Sequence, residues 1–299
     1  MRTLTLKIDE SLSGQTVQRL LSDRLCLSNS LIRRLKLRET GILLNGVRAF
    51  TTARVQPGDV LTAEIGDAGK AGVRPMAMPL SIVYEDEDLL VIDKPAGIAV
   101  HPSRDPEEIT LENALAAYLK VGEIAHPVSR LDRGTTGLMT IAKNGYMHEA
   151  LRRLLHTDAF SREYRGICAG APSPANGTIE LPIGFAEGSR YQRAVTSGGA
   201  PSKTGYETLE RRDGVSLLRL VPYTGRTHQL RVHLAAIGHP LVGDWLYGVE
   251  QPDRIGRPAL HSFRLALTHP LTKKRLCLTA PLPPDMQKLL EDSPAATDE

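Results

Sequence analysis

The pattern of apolar and polar positions predicts a small folded unit in residues 1–65. Residues 4–8 alternate like a strand, and apolar side chains between positions 17 and 25 follow helical spacing. A second short helix through Leu31, Ile32 and Leu35 is predicted, with cap residues supplied by Ser28 to Ser30. Asn45 and Gly46 separate two further apolar runs, which is a strong signal for a two-residue hairpin turn. Two helices followed by a hairpin are therefore expected.

The rest of the chain divides into three predicted segments. Residues 66–79 are rich in Gly, Ala and Pro without periodicity and are expected to form a linker. Residues 80–290 form a second domain, and residues 291–299 are expected to be a disordered tail. Helical spacing marks three segments of the second domain: 110–119, 146–155 (with Asn144 as N-cap) and 227–237.

Strands outnumber helices in the second domain, and many of them are adjacent in sequence. The predicted strands span residues 80–84, 89–93, 98–101, 138–142, 164–169, 177–181, 203–210, 215–221, 259–267 and 275–279. This arrangement favours an α+β fold with a mixed, largely antiparallel central sheet over a parallel, doubly wound sheet. A small N-terminal α/β domain would precede it.

Composition narrows the functional classes. The 299 residues include 41% hydrophobic residues, enough for the core of one large domain and one small one. The N-terminus has no secretory pattern and no long apolar span, so a cytoplasmic protein is expected. Three widely separated cysteines, outside any CxxC spacing, argue against a disulfide framework or a zinc site. Neither GxGxxG nor GxxxxGK[ST] occurs, so we expect no nucleotide cofactor.

Positive charge is concentrated near the N-terminus. Residues 15–54 carry eight Lys/Arg against two acids, whereas the whole chain has a formal net charge of only +3. Such asymmetry suggests a module that binds a polyanion, with nucleic acid as the first candidate; a solvated helical face is the alternative. Four of these basic residues decorate the second predicted helix and its exit: Arg33, Arg34, Lys36 and Arg38. Residues 13–65 resemble the small RNA-binding module known as the S-four domain.

Asp132 is the strongest candidate for chemistry. It lies between Arg130 and Arg133, an arrangement that is usually only a surface ion pair. A polar Gly-containing bend follows, and then residues 138–142 form an apolar strand. Asp132 should therefore lie on a loop held by rigid structure, where reactive groups are often found.

An ordered set of motifs across residues 80–282 resembles the RluA-type pseudouridine synthases. The motifs are VIDKPAG (91–97) with His101-Pro102, SRLDRGTTG (129–137), REY (162–164), GRTHQLRVH (225–233), GHP (238–240) with Gly243-Asp244 and Tyr247-Gly248, and LHS (260–262) with His269-Pro270. Ser129 and Thr136 depart from the residues commoner in the family. Each motif alone is weak, but their order and spacing together are specific.

The resemblance implies isomerisation of uridine to pseudouridine in structured RNA. It implies that Asp132 is the catalytic carboxylate, that Arg226 is the cation that keeps it ionised, and that Tyr164 covers the target base and serves the final proton removal. Arg130, Arg133 and His228 are expected to contact RNA. Whether the aspartate attacks the sugar or base, or removes a sugar proton, stays open.

The reaction neither gains nor loses atoms, so we expect no cofactor and no metal. The nine histidines show no convincing ligand spacing; His228 and His233 are five apart in a predicted helix, off a shared face. The expected partner is RNA, with ribosomal RNA favoured over transfer RNA, and the chain is expected to act as a monomer. The alternative is a catalytically silent RNA-binding or ribosome-assembly factor.

Overall fold

The N-terminal unit is a four-stranded antiparallel sheet, in the order β1-β4-β2-β3, with two helices. The computed structural model describes residues 2–65, 73–101, 108–120 and 123–294. The unit contains β1 (Arg2–Lys7), α1 (Val17–Asp23), α2 (Asn29–Leu35), β2 (Ile42–Leu44), β3 (Val47–Arg48) and β4 (Val60–Ile65). Thr16 and Ser28 accept backbone N–H groups as N-caps. Asn45 and Gly46 both adopt positive φ, which confirms the predicted hairpin turn.

A ten-stranded sheet forms the second domain, in the order β10-β13-β14-β9-β15-β8-β6-β5 with β16 beside β15 and β7 beside β8. Its first strands are β5 (Ser81–Glu85), β6 (Leu89–Lys94), β7 (His126–Pro127) and β8 (Thr136–Ala142). The later strands are β9 (Phe160–Ala169), β10 (Asn176–Ile179), β13 (Thr204–Arg212), β14 (Val215–Pro222), β15 (Leu260–Thr268) and β16 (Arg275–Thr279). A separate hairpin pairs β11 (Ile183–Phe185) with β12 (Arg193–Val195). Pairing within the large sheet is antiparallel except between β8 and β15, so the predicted mixed α+β class is confirmed.

Helices cover both faces of this sheet. They are α3 (Leu111–Tyr118), α4 (Gly145–Leu154), α5 (Gln229–Ala236) and α6 (Pro284–Glu291). Leu90 and Ile92 of β6 share a buried cluster with α3 and α5, whereas Leu89 and Val91 share one with α4. Alternate residues of a strand point to opposite faces, so one strand supplies both layers. All seven residues of β8 are accordingly buried.

The small unit packs against the large one. Tyr146, in the first turn of α4, is buried in the N-terminal hydrophobic cluster. The Arg2 guanidinium lies 2.9 Å from the carboxylate of Asp88. Apolar burial and a charge pair therefore both join the two units. Among the described residues, no helix is both long and apolar enough to cross a membrane.

Several predicted boundaries differ from the structure. Residues 98–101, predicted as a strand, form a loop. The predicted disordered tail begins too early, because helix α6 extends to Glu291 and the Ser293 hydroxyl donates to the Leu289 carbonyl. Residues 291–294 are therefore ordered, and residues 295–299 lie outside the described residues. Of the predicted linker, residues 66–72 lie outside the described residues, and residues 73–79 have no regular structure.

Candidate active site

Asp132 lies on the loop between β7 and β8, and backbone contacts fix that loop at both ends. The Thr135 N–H donates to the Asp132 carbonyl at 3.0 Å, closing a tight turn before β8. Gly137 has φ +106° and lies so close to the Ser262 backbone that a Cβ would stand 2.4 Å from the Ser262 carbonyl oxygen. Only glycine fits both requirements. The loop that carries Asp132 is therefore anchored directly to β15.

Lys94 provides a second anchor for the same loop. Its side chain is fully buried, and its ammonium donates to the carbonyls of Pro95, Ile98 and Arg133 at 2.7, 3.0 and 3.2 Å. Burial and, less strongly, the charge of Arg257 lower the pKa of Lys94 to about 8, although Asp132 opposes the shift. This lysine thus ties the motif that contains it to the loop that carries Asp132.

Arg231, in α5, is the arginine in contact with Asp132. Its Nη1 lies 3.4 Å from Asp132 Oδ2, while Nε and Nη2 each donate at 2.7 Å to the buried carboxylate of Asp244. Burial by itself lowers the pKa of Arg231, but the Asp244 and Asp132 carboxylates outweigh burial and raise it above its ordinary value. The guanidinium therefore stays charged beside Asp132.

The expectation that Arg226 pairs with Asp132 is wrong. Arg226 is exposed, and its Nε donates to the Pro201 carbonyl at 3.3 Å. It precedes α5, because His228 takes a left-handed conformation (φ 57°) and the helix begins only at Gln229 rather than at the predicted Thr227. Arg226 lies at the wall of the cleft, whereas Arg231 lies on the buried side of the helix.

His228 lies on the other side of the carboxylate, with Nε2 3.9 Å from Asp132 Oδ1. Its Nδ1 is 2.8 Å from the Tyr247 hydroxyl, which also accepts the Arg193 N–H at 3.0 Å. The tyrosine proton is thus available to Nδ1, and the ring proton of a neutral imidazole is left on Nε2. Burial lowers the pKa of His228, with Asp132 opposing, so the neutral ring is favoured.

Tyr164 and Asp132 border the same cavity, which has a volume of about 700 Å³. Tyr164 lies in β9, between Leu220 of β14 and Ser262 of β15, and is 5% exposed. The two catalytic candidates therefore come together although 32 positions separate them in the sequence. The further lining residues include Arg130, Arg133, Arg162, Arg226, His228 and Arg231.

The predicted RNA-binding residues fall into two groups. Arg130, Arg133 and His228 line the cleft, and Arg133 also forms an ion pair with Glu108. Of the second group, Arg33, Arg34 and Lys36 are exposed and Arg38 is half-buried, on α2 and its exit in the N-terminal unit. Each group keeps basic side chains at a surface.

One group of side chains outside the cleft has the composition of a metal site. Ligand atoms of Asp86, Asp88 and His269 lie within 4.8 Å of one another. Protein donors already serve this group: Tyr84 and two backbone N–H groups donate to Asp86, and Arg2 pairs with Asp88. The Leu271 and Thr272 N–H groups donate to His269 Nδ1. These contacts give the cluster a structural role at the junction of the two domains.

Four residues that the structure places at the site were not assigned from the sequence: Lys94, Arg231, Asp244 and Tyr247. A usable signal existed for Arg231, because it lies between Leu230 and Val232 in an apolar helical segment. A charge in such a segment requires a buried counter-ion. Asp244 could have been recognised as that counter-ion only from the fold.

Comparison with known proteins identifies the family of this chain. The sequence profile described as RNA pseudouridylate synthase matches residues 88–236. The uncharacterized RNA pseudouridine synthase YlyB of Bacillus subtilis is 36% identical over 257 residues, covering 84% of this chain and 85% of that protein. Ribosomal large subunit pseudouridine synthase D of Nitrosomonas europaea is 42% identical over 226 residues, covering 72% and 65%.

A solved structure gives the same result. Human RNA pseudouridylate synthase domain containing 1 superimposes with a TM-score of 0.60 at 28% identity, covering 77% of this chain and 92% of that chain. The residues matched by the profile, 88–236, include the loop of Asp132 and the helix that carries Arg231. The chain therefore belongs to the RNA pseudouridylate synthase family and isomerises uridine to pseudouridine in RNA.

Proposed function

We propose that Asp132 is the carboxylate that carries out this isomerisation, with Arg231 as its charge partner. The observation that carries the proposal is the chain of charges from Asp132 through Arg231 to Asp244 at the wall of the cleft. A carboxylate that enters an enclosed site becomes harder to ionise unless a fixed cation compensates. Asp244 holds the guanidinium in place, and the remaining N–H donor reaches Asp132.

The reaction breaks the bond between N1 of uracil and C1′ of ribose, rotates the base, forms a bond from C5 to C1′, removes the proton from C5 and leaves a proton on N1, so that no atom is gained or lost overall. An ionised carboxylate serves either as nucleophile or as proton acceptor at the sugar in the first step. Tyr164 supports the last step, because its ring borders the same cavity as Asp132. Its position suits a residue that covers the base and assists proton removal.

RNA capture is proposed to use the N-terminal S-four-like domain together with the basic rim of the cleft. The exposed cations of α2 are well placed to meet phosphates, because helix-borne Lys and Arg neutralise a polyanion without reading its sequence. Ribosomal RNA of the large subunit is the proposed target, favoured by the names of the similar proteins, with transfer RNA as the alternative. Action as a monomer in the cytoplasm stays a prediction from the sequence.

The decisive experiment compares wild type with Asp132→Asn on unmodified large-subunit ribosomal RNA and on transfer RNA. Pseudouridine is mapped by chemical adduct formation and primer extension, and RNA binding is measured separately. We expect Asp132→Asn to bind RNA and form no pseudouridine. Asp253→Asn, which alters an exposed aspartate outside the cleft, is the matched control and should retain activity.

Two outcomes would contradict the proposal. Equal activity of Asp132→Asn and wild type would exclude Asp132 from the chemistry. Modification of neither RNA by the wild type, with tight binding to both, would favour the catalytically silent RNA-binding factor.

The binding role of the N-terminal domain is tested by the triple substitution Arg33→Gln, Arg34→Gln and Lys36→Gln, which should flatten the salt dependence of affinity.

A further inference from the structure

A second cavity, of about 930 Å³, adjoins the catalytic cleft. Asp132, Arg133, His228 and Arg231 line both cavities, so the catalytic carboxylate lies where the two meet. The volume falls within the range of about 300–1,000 Å³ that is typical of ligand sites. Nothing in the isomerisation of a single uridine requires this second space, since the first cavity already brings Asp132 and Tyr164 together.

Two large aromatic side chains are exposed in the second cavity. Trp245 is 61% exposed and Tyr191 is 65% exposed, although aromatic residues make up only 4% of the chain. Trp245 is the single tryptophan of the protein. An exposed ring at the edge of a cavity offers a flat surface on which another planar group can stack.

The loops that carry these rings are tied to the catalytic charges. Asp244 Oδ1 accepts the backbone N–H groups of Leu246 and Tyr247 at 3.1 and 3.2 Å, and the same carboxylate binds Arg231. The hairpin loop that carries Tyr191 is joined to this segment through the Arg193 N–H, which donates to the Tyr247 hydroxyl. The position of Trp245 is therefore fixed relative to Asp132.

The charges around the second cavity suit a polyanion. Arg133, Arg231 and Arg257 line it, and the one acid among its lining residues besides Asp132 is Asp285, which binds Arg257 through two hydrogen bonds of 2.7 and 2.8 Å. Arg193, in the adjoining hairpin, stacks on the exposed ring of Phe185 at 3.6 Å. Stacking surfaces next to fixed cations are the combination that binds single-stranded nucleic acid.

We propose that the second cavity binds an unpaired nucleobase adjacent to the target uridine in the substrate RNA, stacked on Trp245 with Tyr191 beside it. The inference depends on RNA being the substrate. When the target base leaves its stack, its neighbour loses a stacking partner as well. Trp245 replaces that partner, so this subsite contributes to binding the strand in its opened form. The occupant is an RNA base rather than a free nucleotide, because the cavity shares Asp132, Arg133 and Arg231 with the cleft that takes the target.

The tryptophan fluorescence of this protein reports on Trp245 directly, because the sequence contains no other tryptophan. The test uses the full-length Asp132→Asn protein and two probes: the single-stranded uridine hexanucleotide, and an oligonucleotide of equal length and charge in which all residues but one are abasic. Binding of each probe is followed by anisotropy of a fluorescent label, and stacking by quenching of Trp245. We expect quenching at saturation with the hexanucleotide and a much smaller change with the abasic probe.

Substitutions at Trp245 measure how much base stacking contributes to the affinity for RNA. Stacking of one base contributes about 1–3 kcal/mol, so Trp245→Ala should weaken hexanucleotide binding by roughly 5- to 150-fold and leave abasic binding unchanged. Trp245→Phe should retain most of the affinity. Tyr118→Ala, which removes an exposed tyrosine that lines neither cavity, is the control.

Three results would overturn the subsite. They are an unquenched Trp245 at saturating hexanucleotide, an equal loss of affinity for both probes in Trp245→Ala, and full affinity in Trp245→Ala. Tight binding of uridine monophosphate with the same quenching would instead make the cavity a free-nucleotide site and would also overturn the proposal. A separate result would contradict the role proposed for Asp132, namely formation of pseudouridine by the Asp132→Asn variant.

Discussion

Replacing Arg231 with methionine should lower both the stability of the fold and the rate of the reaction. The substitution removes the cation that contacts Asp132 and leaves the Asp244 carboxylate, which is fully buried, without its bidentate partner. Methionine has a similar length and fills the space with an apolar chain. The loss is therefore electrostatic rather than a loss of packing.

The size of the expected loss of stability follows from the burial of the two side chains. Arg231 is 6% exposed at its side chain and Asp244 is 0% exposed. Removing one member of such a pair leaves an uncompensated buried charge and costs about 3–5 kcal/mol of unfolding free energy. Loss of the fixed cation beside Asp132 should also lower the rate at saturating RNA by about 10²–10³-fold, the scale of removing one preorganised stabilising group.

A second substitution distinguishes the two effects. Asp244→Asn removes the buried charge but keeps an amide oxygen for the Leu246 and Tyr247 N–H groups. The double variant Arg231→Met/Asp244→Asn should therefore regain part of the lost stability, about 1–3 kcal/mol. Its activity should stay low, because Asp132 still lacks its cation.

The assays are urea unfolding and single-turnover pseudouridine formation at saturating RNA. Arg226→Met is the comparison, since its guanidinium is exposed; its stability should change by less than about 0.5 kcal/mol, and its effect should appear as a higher half-saturating RNA concentration. Wild-type stability and rate in Arg231→Met would refute the assignment. So would a loss of rate at saturation confined to Arg226→Met.

Three further predictions concern the supports of the site. Lys94→Met should lower stability by about 1–3 kcal/mol in urea, because buried carbonyls lose their donor, and should slow the single-turnover rate; a wild-type rate would show that the loop needs no such anchor. Gly137→Ala should impair folding or activity through its clash with Ser262, whereas Gly198→Ala, with open space around its Cβ, should behave as wild type; equal behaviour of the two would contradict the proposed packing. The unfolding free energy should fall as pH drops below 6.5, because histidines in the unfolded chain become protonated at a pH at which the buried histidines of the folded chain stay neutral. A higher urea midpoint at pH 5.5 than at pH 7 would disprove this linkage. Histidines with a pKa lowered chiefly by burial are His148, His156, His228, His233 and His261.

Local signals were sufficient for much of the fold and for the loop that carries Asp132. The predicted caps Ser28 and Asn144 start their helices where their side chains bind backbone N–H groups, an interaction confined to one turn. The class of sheet followed from short strands adjacent in sequence. The loop of Asp132 was located by its own bend and by the buried strand after it.

The missed features depend on contacts between distant segments. The motif at residues 225–233 contains two arginines, and their spacing cannot tell which one faces the aspartate. That choice depends on the left-handed His228, which delays the start of α5, and on Asp244, which binds Arg231 from a later loop. The burial of Lys94 likewise results from the packing of a turn against the catalytic loop.

The sequence by itself thus determined most of the strands and helices and the loop that carries Asp132, because periodicity, capping and turn chemistry act over a few neighbouring residues. The tertiary structure alone decided that Arg231 rather than Arg226 pairs with that carboxylate, and that Trp245 and Tyr191 border a second cavity beside it. Charge pairing and cavity shape depend on where side chains from separate elements converge, and only the folded chain fixes those positions.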